Sequence, residues 1–330
     1  MSVKADFREA IASQPQWLQR AADLAGEALG PVSQMWGTDE TVAVVGMGAS
    51  TNAGAVFVAS LRERGVRAIN LDASAVSRFP PGHKPADHVI VVSESGRSPE
   101  PIAAVARMGV APIVVTNDPA SPVTVGASLV VPLGGFVDSG VYTIGYTTTL
   151  VALAAIASAF GAPVAEPGSL AGVAEAALSD FAGIAPSLAA ALDERWFLDI
   201  VGQGPSAGSA QAAALLFREA PGMATAPFET LQYLHGPMES SGPHSATLLF
   251  GDGRANGVAA QLRDAGALVI QLVTHHGSTP GACHLSMTAD GYAGAVAEIV
   301  FAQLIAAELA SRRGIKVGDF RFPQTDTKLT

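Results

Sequence analysis

The chain has 330 residues, enough for two domains, and is 49% hydrophobic but only 6% aromatic, which suits small-residue helices packed on sheets. A net charge of −10 with no overriding basic patch argues against nucleic acid as a partner. A single cysteine, Cys283, allows no intrachain disulfide, and Asp6, Arg8 and Glu9 interrupt any signal-peptide pattern, so a cytoplasmic protein is expected.

Residues from Asp6 to Leu29 read as helical, with an interruption near Gln14-Pro15. Thr41 to Val45 is the first strand, followed by Gly46-Met47-Gly48-Ala49-Ser50, with Ser50 as cap for a helix from Thr51 to Leu61. Further strands are predicted at Arg67 to Leu71, His88 to Val92 and Pro112 to Thr116, alternating with helix-length segments. Such alternation predicts right-handed βαβ units and a parallel sheet. The uncharged run from Ser139 to Ala165 holds an apolar stretch, Leu150 to Phe160, too short to span a bilayer. A buried core helix from Thr147 to Phe160 is expected there, and no membrane partner.

The pattern then returns. Asp199-Ile200-Val201-Gly202-Gln203-Gly204-Pro205-Ser206 repeats the end of the first strand, Gly202 lying 202 − 46 = 156 residues after Gly46. Ala267 to Val273 repeats Ala111 to Val115, and Ala246 to Phe250 takes the place of Val89 to Val92. One α/β unit duplicated is the economical explanation. The expected fold is α/β, with two tandem doubly wound parallel-sheet (Rossmann-like, flavodoxin-like) subdomains. The expected divisions are a helical lead (1–38), a first domain (39–165), a helical connector (166–192), a second domain (193–313) and a tail (314–330) holding Lys328.

The stretch with the clearest chemistry is Ser93-Glu94-Ser95-Gly96-Arg97-Ser98-Pro99-Glu100. Ser98 reads as an N-cap, Pro99 as the first helical residue, and Glu100 puts a carboxylate in the first turn. Strand, hydroxyl-rich glycine loop and helix start form a phosphate cradle, in which backbone N–H groups and serine hydroxyls face the anion. A plain turn would also use serine and glycine; three spaced serines with a helix start favour phosphate. The second half has Gly251-Asp252-Gly253-Arg254 there, without hydroxyls, so one phosphate site per chain is expected. Gly46-Met47-Gly48 and Gly202-Gln203-Gly204 both lack the third glycine of a dinucleotide fingerprint, so NAD is not expected, nor any other cofactor. His275, His276, Cys283 and His284 match no recognised metal-site spacing and read as a polar loop, so no metal is expected.

Taken together, Gly48-Ala49-Ser50, Ser93-x-Ser95-Gly96-x-Ser98, Gly202-x-Gly204, Glu219 and His235-Gly236-Pro237 resemble the SIS (sugar isomerase) family. The layout is similar to the double-SIS isomerase domain of glutamine–fructose-6-phosphate aminotransferase, and covers nearly the whole chain. The spacing of Glu219 and His235, 235 − 219 = 16 residues, is its most specific element. The loop Ser-Gly-x-Ser-Pro-Glu looks more like the amino-sugar-phosphate deaminase and isomerase branch. The resemblance implies that Ser50, Ser93, Glu94, Ser95 and Ser98 line the site for the phosphate and nearby hydroxyls, with Thr143 near the sugar. It implies Glu219 as the base moving a proton between C1 and C2, and His235 as the ring-opening group, contributed across a homodimer. Lys328 would form a Schiff base with the ketose carbonyl.

The residue types suit those roles. Burial beside Leu215, Leu216 and Phe217 would raise a carboxylate toward working pH, and a desolvated lysine amine is a Schiff-base nucleophile. Glu94 stands where glutamine is common and would repel phosphate unless Arg97 offsets it or its side chain points away. The chain begins Met1-Ser2-Val3 and has no cysteine before Cys283, so the glutaminase-bearing synthase is not expected. The expected function is a sugar-phosphate isomerase, in its specific form a glucosamine-6-phosphate or related hexosamine-phosphate deaminase. The alternatives are a fructosyl-amine 6-phosphate deglycase and, in another class, a non-catalytic sugar-phosphate-binding regulator.

Overall fold

A computed structural model of the chain describes residues 4–30, 32, 34–274, 279–322, 324 and 326–328. The chain divides into two compact units, one of Gln14–Val137, Ile144–Ala171 and Arg321–Thr330, the other of Met1–Ser13, Asp138–Thr143 and Gly172–Phe320. Each carries one five-stranded parallel sheet.

The first sheet contains β1 (Thr41–Gly46), β2 (Arg67–Asp72), β3 (His88–Val92), β4 (Ile113–Thr116) and β5 (Leu129–Pro132), in the order β2-β1-β3-β4-β5. All its neighbours run parallel, with Val45 opposite Leu71 on one side and Val91 on the other. Central strands covered on both faces need apolar residues throughout; Val42–Val45 and Ile90–Val92 are fully buried. The helices are α1 (Phe7–Leu29), α2 (Ala49–Glu63), the single turn α3 (Ala73–Val76), α4 (Pro99–Arg107) and α5 (Ile144–Ala159).

The second sheet follows α6 (Leu170–Phe181) and α7 (Ala185–Asp193). Its elements are β6 (Phe197–Gly202), α8 (Pro205–Glu219), β7 (Thr225–Glu229), α9 (Thr230–Tyr233), β8 (Ser245–Phe250), α10 (Arg254–Asp264), β9 (Leu268–Val273), β10 (Cys283–His284) and α11 (Gly291–Arg312). The order β10-β9-β8-β6-β7 repeats that of the first sheet, strand for strand. Backbone detail repeats as well: Gly48 precedes α2 at φ 53, ψ −123, and Gly204 precedes α8 at φ 58, ψ −128. The expected doubly wound fold, present twice, is therefore what the chain adopts.

Three local expectations need correction. Helix α1 runs unbroken through Pro15. Phe7, Ile11, Gln14, Leu18, Ala21, Ala25 and Leu29 form one buried stripe along it, and packing of that stripe outweighs the hydrogen bond that proline removes. Helix α2 starts at Ala49 with Gly48 as its N-cap, so Ser50 lies inside the first turn. The core helix α5 starts at Ile144, three residues early, and is buried from Ile144 to Ala157. Among the described residues, α11 alone is long and apolar enough to cross a bilayer, and most of it is buried within the protein.

Candidate functional site

Strand β1 leads through α2 to one side of the first sheet and β3 leads through α4 to the other. The crevice beyond the C-terminal ends of β1 and β3 is therefore a topological switch point, where open α/β sheets bind ligands. The loops Gly46–Ser50 and Ser93–Ser98 meet that edge, so the sheet order gathers Ser50, Ser93, Ser95 and Ser98 there. Helices α2 and α4 both begin at it with the positive ends of their dipoles; α4 opens Pro99-Glu100-Pro101, so among its first three residues only Glu100 has an N–H to offer. Ser98 sits at the N-cap of α4 at φ −70, ψ 130, yet its side chain makes no capping hydrogen bond, leaving the hydroxyl for another acceptor.

The loop conformation is over-determined. Gly96 has φ +62, and a Cβ there would lie 1.8 Å from the Ser121 Oγ, so only glycine fits. Its N–H donates to the Ser93 carbonyl at 3.0 Å, and its carbonyl accepts from Val123 N–H at 3.2 Å. The Glu94 carbonyl accepts from Asn117 N–H at 2.9 Å and from the Thr116 hydroxyl at 3.2 Å. The Glu94 side chain accepts from Asn117 Nδ2 at 3.3 Å, and Arg97 pairs with Asp118 at 3.2 Å. Arg97 thus has its own carboxylate partner, and Asn117 is the group that tethers Glu94. Asn117 also donates to the Phe136 carbonyl at 2.9 Å and accepts from Gly135 N–H at 2.7 Å, locking the next loop to the cradle.

In the unit of the second sheet, Glu219 is the last residue of α8. The chain turns immediately after it, with Gly222 at φ +65. Arg218 holds the turn by donating to the Thr225 carbonyl at 3.1 Å, and Arg313 by donating to the Pro221 carbonyl at 3.0 Å. Glu219 is half-buried beside buried Leu216 and Phe217. Burial pushes its carboxyl from 4.5 up to about 7, the direction its apolar neighbours predict, and the negative end of α8 acts in the same sense. Such a group is divided between base and acid at neutral pH.

His235 follows α9, whose start is capped by Glu229 Oε2, accepting from Leu231 and Gln232 N–H at 2.8 and 2.9 Å. His235 N–H donates to the Gln232 carbonyl at 3.0 Å, and the side chain is exposed. Thr143 is fully buried; its hydroxyl donates to Asp138 Oδ1 at 2.5 Å and its N–H to Oδ2 at 3.1 Å. It falls in the unit of the second sheet, whereas Lys328, exposed, falls in that of the first. His275 and His276 lie outside the described residues; Cys283 and His284 form β10, where His284 Nε2 is 3.2 Å from the Thr279 carbonyl. Sequence reasoning missed Asn117, Asp138, Asp199 and Glu298. Of the two carboxylates in α11, Glu298 and Glu308, only Glu298 falls within its buried middle.

No protein-family model matches the sequence, and no curated protein matches it either. Solved structures do. The C-terminal domain of glucosamine-fructose-6-phosphate aminotransferase from Francisella tularensis matches with a TM-score of 0.81 at 16% identity, over 96% of this chain and 98% of that one. Glucosamine-6-phosphate deaminase from Thermotoga maritima matches at 0.78 and 18% identity, over 97% and 98%. Tagatose-6-phosphate ketose/aldose isomerase from Escherichia coli matches at 0.76 and 16% identity, over 97% and 96%. The chain shares the fold of these structures, with its two five-stranded parallel sheets.

Proposed function

We propose that this protein is a sugar-phosphate isomerase, and specifically a deaminase acting on glucosamine 6-phosphate or a close hexosamine phosphate. The observation that carries the reading is Glu219, a half-buried carboxyl raised to about 7 at the end of α8. A group so poised can take a proton from carbon alpha to a carbonyl and return it to the neighbouring carbon. The fold shared with an amino-sugar-phosphate deaminase, an aminotransferase domain and a ketose/aldose isomerase supports the substrate class.

In this reading Ser50, Ser93, Ser95 and Ser98, with the N-termini of α2 and α4, take the phosphate. Binding energy from that remote group orients the reacting carbons. His235 assists ring opening. Its exposure in the single chain supports a homodimer in which it serves the partner's site. Glu219 moves a proton from C2 of the open aldose to C1, the C1 carbonyl oxygen gains the proton that the amine nitrogen gives up, and C2 becomes an imine. Water then replaces nitrogen at C2 and ammonia leaves. Lys328 is assigned to the ketose carbonyl as a Schiff-base amine, and Thr143 to the sugar side through its segment.

The test is incubation with hexosamine 6-phosphates and fructosyl-amine 6-phosphates, with ammonia and released amine measured separately. Ammonia from a hexosamine phosphate is the expected result. Amine release alone would replace the deaminase with a deglycase, and tight binding of every phosphate without turnover would replace the enzyme with a regulator.

A further inference from the structure

Loop residues that present a catalytic side chain need an anchor, because an exposed arch of backbone has little of its own to hold it. His235 lies on such an arch. It follows a helix of four residues, too short to be stable by itself, and precedes Gly236 at φ +137 and a short turn, Pro237–Ser240. His235, Gly236, Glu239 and Ser240 are all exposed.

The two ends of the arch converge on one buried point. Tyr233, with no exposed surface, closes α9 and packs its ring 5.2 Å from that of Phe228, in a cluster with Val201, Leu249 and Leu262. Its hydroxyl donates to Asp199 Oδ2 at 2.9 Å and sits 2.8 Å from the Ser241 Oγ, which is then the donor to Tyr233. Asp199 belongs to the interior strand β6, opposite Ala226 on one side and Thr247 on the other, and is 4% exposed. A carboxylate buried at the middle of a sheet is costly unless it is held.

The duplication supplies an internal control. By the offset of 156, Asp199 stands where the first sheet has Ala43; one helix later the offset is 233 − 76 = 157, and Tyr233 ends α9 as Val76 ends α3. Ala43 and Val76 are fully apolar and belong to one core cluster. The same two positions are therefore well filled by apolar residues where no His-Gly-Pro loop follows, and by a hydrogen-bonded carboxylate and phenol where one does.

We propose that Asp199 and Tyr233 are positioning residues that fix the arch bearing His235, a role that rests on the reading of His235 given above. Burial raises the Asp199 carboxyl and pushes the Tyr233 phenol up to about 12, so the phenol keeps the proton it donates.

The test separates positioning from stability and from the His235 reading. Solvent deuterium uptake at C1 is followed for fructose 6-phosphate, which must open its ring, and for 5-deoxyfructose 6-phosphate, which cannot close one. Tyr233→Phe is expected to slow uptake with the first on the order of 10- to 100-fold and to leave uptake with the second unchanged. The double variant Asp199→Leu/Tyr233→Phe restores the apolar pairing of the first sheet. It should unfold at or above the wild-type temperature and still show the selective loss. Wild-type uptake with fructose 6-phosphate in the folded double variant, or equal losses with both ketoses, would overturn the proposal. His235→Ala runs alongside: full activity there, or no uptake by the wild type with either ketose, overturns the reading of the site itself. Loss in His235→Ala without loss in Tyr233→Phe overturns only the positioning role.

Discussion

Glu298 offers a prediction whose size can be worked from its surroundings. Only 2% exposed on α11, it accepts from the Ser206 hydroxyl at 2.6 Å through Oε1, while Oε2 is buried with no partner among the described residues. Burial pushes its carboxyl from 4.5 up to about 7. The folded-state value lies above the unfolded one, so this group's stabilisation is complete below pH 4.5 and is lost as pH rises through 7. A displacement of that size corresponds to about 3 kcal/mol. Glu298→Gln keeps the shape and an acceptor for Ser206 but cannot ionise. Urea unfolding of wild type and variant should therefore be compared at pH values from 4 to 8. The variant should be the less stable at acid pH, since its new amide N–H lacks an acceptor, by about 1–3 kcal/mol. That difference should shrink from pH 4.5 upward and reverse by about pH 7, above which it levels off. Glu219, raised in the same direction, contributes equally to both proteins and cancels from the difference. A difference curve flat across this range would refute the assignment of Glu298 as a buried neutral acid.

Three other outcomes are expected. Gly96→Ala should cost at least as much as a strained left-handed residue, about 1–2 kcal/mol, and abolish phosphate-dependent binding, as followed by thermal unfolding with and without sugar phosphate; an unchanged protein would mean that the loop is not held as described. Ser95→Ala should weaken binding of a sugar phosphate while leaving the unphosphorylated sugar nearly unaffected, measured by calorimetry; equal losses would remove the phosphate role. Mixing inactive Glu219→Gln and His235→Ala chains should restore partial turnover if His235 crosses a dimer; a verified heterodimer without activity would argue against shared sites.

The elements legible in the sequence were those whose local signals agree with their packing. Strands β1, β3 and β4 are β-branched runs because both faces are covered, and Ser98-Pro99-Glu100 marks the start of α4 within one residue. Strands β5 and β7 gave no such signal, since each contains a proline, Pro132 and Pro227, as edge strands tolerate. Ser50 was mistaken for a cap because Gly48, at φ 53, does that work without a side chain. The position of the serine-bearing loops could be read because a loop after a central strand must reach the sheet's switch point. The tether of Glu94 to Asn117 could not, because 23 residues separate them and only the pairing of β3 with β4 brings them together. Asp199 and Glu298 read as ordinary polar positions; their burial depends on a sheet and a helix that no local pattern announces. The repeat also misleads in one respect: Ser206 matches Ser50 in position, yet its hydroxyl is already given to Glu298.

The claim on which the function stands is that the Glu219 carboxyl moves a carbon-bound proton of a sugar phosphate. Proton NMR in D2O follows this directly, with a hexose 6-phosphate incubated with wild type and with Glu219→Gln at pH 7. The account predicts deuterium at C1 or C2 with the wild type, a loss on the order of 10²–10⁴-fold in the variant, and similar affinity for the phosphate in both. Deuterium uptake by Glu219→Gln at the wild-type rate would contradict it.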